Sequence, residues 1–188
     1  MKMKRFLAIL FVVLAVALPL FAQSTVEKRS LSFYQKPANH VQLTGGLDFG
    51  WQKHNGVSLR GVGFRVGAEC LLKNEFDLGL DASLMTMTDG ELSKGPEVLK
   101  LTQTFGFHVM VGHATMVRMK VGAGTEVKLA DNKADFHFTT EAGCNVYIKI
   151  TDEVAIQFGG TCYATLPKGE DTAVTYSVVP GFGMAFTL

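Results

Sequence analysis

Five histidines and three cysteines are the side chains best able to ligate a metal in this 188-residue sequence, and none stands in a ligating pattern. His40, His54, His108 and His113 are scattered singly. His137 and Glu141 share one face of an extended segment, but four strand residues span ~13 Å, too far to chelate one ion. The run Gly61-Val62-Gly63-Phe64-Arg65-Val66-Gly67 is glycine-rich. Its spacing is not that of a dinucleotide-binding turn, and an extended segment follows where a helix should open. Ser83 and Ser177 have no histidine nearby on their own segments, so no nucleophile is paired with a base. The sequence therefore points to no catalytic residue, cofactor or metal, and to no enzyme. What remains is a set of polar side chains, each with an apolar residue beside it: Asp48, Arg65, Glu69, Asp81, Arg118, Lys120, Glu126, Glu141 and Tyr163. The chemistry open to them is that of salt bridges and hydrogen bonds in an enclosed space.

The segments carrying these residues alternate with period two, the period of a β-strand. The clearest is the last. In Ala173–Leu188, Val174, Tyr176, Val178, Pro180, Phe182, Met184, Phe186 and Leu188 form one face against small or polar residues on the other. It exceeds an ordinary strand of ~5–6 residues and reaches the ~9–11 that a tilted strand needs to cross a bilayer. Seven further stretches read alike, at 41–51, 61–72, 76–84, 99–111, 117–127, 136–150 and 154–164. No charged residue falls on an apolar face within these stretches. The charged face is also rich in glycine, as the crowded inside of a narrow tube requires. A soluble barrel would carry its charges outward and its apolar face inward. The glycine-lined charges argue for the reverse, an apolar face against lipid, where charge is costly.

Lys2, Lys4 and Arg5 precede the unbroken apolar run Phe6–Leu20, then Phe21-Ala22 before polar residues. This predicts a signal peptide over 1–22, cleaved after Ala22; the run is shorter than the ~20 residues of a spanning helix. Cleavage would remove three of the 18 basic residues and none of the 17 acidic ones, leaving a slightly acidic chain with no footprint for nucleic acid. Residues 23–39 lack a clean period and read as a periplasmic tail.

The expected fold is all-β: an eight-stranded antiparallel up-and-down transmembrane β-barrel over 40–188. Lys73–Glu75, Ala114–Met116 and Thr151–Glu153 read as tight periplasmic turns. Lys53–Arg60, Thr88–Val98, Ala130–Asp135 and Pro167–Thr172 read as longer outer loops. Turn lengths place Glu69 opposite Gly79, Arg65 opposite Ser83 and diagonal to Asp81, and Glu141 opposite Tyr163. Trp51, Phe136 and Tyr176 fall near the outer ends. Pro180 lacks the donor a ladder needs, which predicts a bulge or irregular pairing. Cys70, Cys144 and Cys162 face outward as small apolar residues.

The signal peptide, the eight alternating segments and the final strand together resemble the small OmpA/OmpW-like outer-membrane β-barrels. The resemblance implies residence in the cell outer membrane, with lipid and the barrel-assembly machinery (through the last strand) as partners. Two functions follow as expectations. One is porin-like passage of small solutes, with the polar residues lining a narrow lumen; in OmpW-like barrels the resemblance implies a hydrophobic lateral route. The other is a structural or adhesin-type protein with a plugged lumen, meeting a host or envelope ligand through its outer loops.

Overall fold

The computed structural model describes residues 40–54, 56–72, 75–88, 97–111, 114–130, 133–169 and 173–188. The signal peptide and tail expected over 1–39 lie outside them. Eight strands form: β1 His40–His54, β2 Val57–Leu71, β3 Phe76–Thr88, β4 Glu97–Met110, β5 Thr115–Ala130, β6 Lys133–Lys149, β7 Val154–Thr165 and β8 Thr175–Thr187. Each pairs antiparallel with its sequence neighbour, and β8 closes on β1. At the seam the Leu188 amide donates to the Val41 carbonyl at 2.8 Å.

The register sets the barrel's shear. From Leu43 the cross-strand partners run Ala68, Leu80, Gln103, Ala123, Thr140, Ala164 and Tyr176, returning to β1 at Lys53, ten residues along. That stagger goes with a strand tilt of about 35–45° and with an interior only wide enough for side chains.

Alternation becomes inside and outside. On β2, Val62 is 60% exposed, while Arg65 is 4% exposed. The outer wall is Leu, Val, Phe and Met, and stacked rings join neighbouring strands across it: Phe49 with Phe182 at 6.2 Å and Phe76 with Phe105 at 5.5 Å. Cys70, Cys144 and Cys162 are free thiols on this wall.

The connections differ from the sequence reading in three places. Residues 55–56 alone separate β1 from β2, and 131–132 alone separate β5 from β6, so these are hairpins and not long loops. Gly56 has φ = 82°, the left-handed conformation that two-residue hairpins require and glycine adopts without strain. The tight turn placed at Ala114–Met116 lies earlier. Thr115 and Met116 are already in β5, where Met116 pairs with Met110. Lengthening β1, β2 and β4 also brings three charges onto the outward face, Lys53, Arg60 and Glu97, all at the rim by the longer connections.

Pro180 produces an interruption rather than a bulge. The β1–β8 pairing runs from Gln42↔Thr187 to Asp48↔Gly181 and resumes at Trp51↔Val178 in the same register. The gap covers Phe49 and Gly50 opposite Pro180 and Val179. Pairing of β8 with β7 stays continuous through Gly160↔Pro180.

Candidate functional site

The inward face gathers the polar residues into one buried network. Five of its charged members stand beside glycine. Asp48 pairs with Gly63 and Gly181, Glu69 with Gly79, Asp81 with Gly67, Lys120 with Gly106 and Gly143, and Glu141 with Gly122. A Cβ on Gly181 would collide with the Asp48 carboxylate, and one on Gly67 would lie 2.6 Å from the Thr44 hydroxyl. The glycines thus make room for charged neighbours.

Four cations organise the lumen. Arg118, fully buried, donates from Nε to Asp77 Oδ2 at 2.7 Å and from Nη1 to Glu69. Asp77 also meets His108 Nδ1 at 2.7 Å, and the Tyr147 hydroxyl donates to Glu69 at 3.4 Å. Lys120 bridges Asp81 and Glu141, the latter at 3.1 Å, while the Thr102 hydroxyl donates to Glu141 at 2.8 Å. Lys100 pairs with Glu126 at 3.2 Å, donates to Ser177 at 3.3 Å and lies 3.9 Å from the centre of the Tyr163 ring. Thr165 completes Glu126 at 2.8 Å. Arg65 pairs with Asp48 at 3.4 Å and donates to Thr161 at 3.3 Å.

All nine residues singled out from the sequence therefore point into the lumen, where all but Tyr163 make ion pairs and Tyr163 lies under Lys100. Arg65 has Asp48 as its ion-pair partner, where the diagonal reading suggested Asp81; Lys120 takes Asp81 instead. Lys100, Asp77, His108 and Tyr147 belong to the same network and were not singled out. Their inward parity was the available signal.

Apolar side chains pack together toward both ends of this polar core. Leu71, Met116, Tyr147, Ala155 and Ala185 pack together toward the short-turn end, with Met110 against them. Met85, Met87, Val98, Tyr163 and Val179 do so toward the longer connections, with Leu59 against them. Between Met85, Met87, Lys100 and Val179 a cavity of about 10 Å³ remains, room for one water at most. Among the described residues no group of three or more His, Cys, Asp or Glu side chains could hold a metal.

A closed eight-stranded barrel with an apolar wall and a charged, packed lumen is the architecture of a small membrane-spanning β-barrel. Solved structures agree on the fold. The chain is similar to Neisserial surface protein A, with a TM-score of 0.63 at 9% identity over 78% of this chain and 96% of that one. It is also similar to the outer membrane protein OprG from Pseudomonas aeruginosa, with a TM-score of 0.51 at 12% identity over 80% and 96%. The N-terminal β-barrel domain of Pseudomonas aeruginosa OprF gives 0.50 at 12% identity over 80% and 98%. No protein-family model matches the sequence, and no curated protein does.

Proposed function

We propose that this protein resides in a bacterial outer membrane as a closed barrel and acts from its rim and connections, with the lumen serving as a plug. The observation that carries this reading is the order along the barrel axis: apolar cluster, ion-paired charge network, apolar cluster. A hydrated ion would have to displace both clusters and break buried ion pairs, each costly to separate in low dielectric. Membrane residence draws support from the apolar wall and from the signal peptide read at the N-terminus. Lipid is then the partner of the wall, and the alternating β8 strand is the element offered to the barrel-assembly machinery.

Adhesion through long loops draws less support, because two of the four connections at that end have only two residues. Any host or envelope ligand would meet the 89–96 and 166–174 connections and the strand ends around them. The competing reading is porin-like transport along the charges. Single-channel recording of the refolded protein in a planar bilayer separates the two. A plug predicts a silent membrane from protein that shows the gel-mobility shift of a folded barrel. Discrete steps altered by Arg65→Ala or Glu126→Ala would establish the transport reading instead.

A further inference from the structure

The outward wall is free of charge over nearly all its height, which makes its exceptions informative. Among the described residues only Lys53, Arg60 and Glu97 put a charge on the outward face of a strand, and the two cations are neighbours. Arg60 pairs directly with Trp51 across β1 and β2. Lys53 lies one outward position further along β1, diagonal to Arg60 and paired with Tyr176 on β8. A diagonal pair of this kind sets the two residues ~7–8 Å apart, a span that two long side chains can close around one phosphate. Trp51 is 52% exposed and Tyr176 62% exposed. Neither Lys53 nor Arg60 forms an ion pair with a described residue. Glu97 is separated from Arg60 by the whole of β3.

Two like charges side by side, with no ion-pair partner among the described residues, favour an anion between them. Their position says where that anion comes from. Trp and Tyr concentrate at the depth of lipid head groups, so cations level with Trp51 and Tyr176 face the head-group layer. The geometry points to a binding site for the phosphate of an anionic membrane lipid, formed by Lys53 and Arg60 and flanked by Trp51 and Tyr176. This rests on the membrane-spanning reading above.

Trp51 is the only tryptophan of the chain, so it reports on its own site. The refolded protein is placed in vesicles of brominated phosphatidylcholine, and the bromine quenching of Trp51 is relieved by adding unbrominated lipid. Phosphatidic acid is expected to relieve it about fivefold more effectively than unbrominated phosphatidylcholine, the order expected for one basic side chain near an anionic head group. The preference should fall to unity in Lys53→Gln/Arg60→Gln and shrink at high salt. It should survive Lys133→Gln/Lys168→Gln, which removes the same charge elsewhere at that end. Equal relief by both lipids, or equal loss in both double variants, would overturn the site. Absence of any quenching by brominated lipid would instead overturn the membrane reading itself.

Discussion

Arg118 concentrates the energetics of the lumen in one side chain. It reaches from β5 to Glu69 on β2 and Asp77 on β3 and is fully buried. Removing it alone leaves buried Glu69 and Asp77 with only Tyr147 and His108 as partners, and breaking a buried ion pair in this way costs about 3–5 kcal/mol. Arg118→Met should therefore lower the urea stability of the refolded barrel by about that amount, read from the folded band on unboiled gels. The triple variant Arg118→Met/Glu69→Gln/Asp77→Asn should recover most of the loss, because no unpaired charge remains. Equal destabilisation of the two variants would mean that the guanidinium contributes packing and not charge. The inward charges were legible from strand parity, but their partners were not. Register reasoning sees adjacent strands, and there it weighed Arg65 against Asp81 although Asp48 on β1 is equally diagonal to it. Lys120 on β5 crosses the lumen to Asp81 on β3, a contact that only closure of the barrel creates.

The strands were legible where lipid imposes an apolar residue at every second position. Their ends were not, because β1, β2 and β6 run on beyond that requirement. Gln52, Lys53, Ser58 and Arg60 look like a loop by composition but are paired strand residues. The Asn55-Gly56 pair was the signal that would have found the hairpin, since this dipeptide suits a two-residue connection. Pro180 shows the opposite case, in which a local defect was legible and its form was not. The ladder gap falls on the β1 side of β8, as expected if the missing amide is one that would have donated to β1. Pro180→Val should supply that donor in an unchanged register and stabilise the barrel by about 1 kcal/mol, the net value of one hydrogen bond. Amide exchange across Phe49 and Gly50 should slow. Unchanged exchange there would show that the gap has another cause.

Eight strands with a shear of ten form a narrow, strongly tilted tube, and its two rims are unlike. At one rim lie His40, Leu188 and the connections through Glu75, Ala114 and Asp152; at the other lie Trp51, Lys53, Arg60 and Lys168. Strands of 12–17 residues exceed the ~9–11 needed to span a bilayer, so one end must extend into water. The second rim carries the exposed Asp135, paired with Lys168 at 2.9 Å, which fits projection of that tip beyond the lipid. An even strand count puts both ends of the barrel on the same side, and outer-membrane barrels turn their longest loops outward; the two longest connections, 89–96 and 166–174, both lie at the second rim. In a background with Cys70, Cys144 and Cys162 replaced by alanine, Lys168→Cys should therefore react with a membrane-impermeant maleimide on intact cells. Asp152→Cys, at the other rim, should react only after the outer membrane is permeabilised. In the unsubstituted protein the three native thiols, set on the apolar wall, should stay unreactive in both conditions. The reverse pattern would invert the barrel in the membrane, and labelling of both positions on intact cells would mean that the barrel does not separate two compartments.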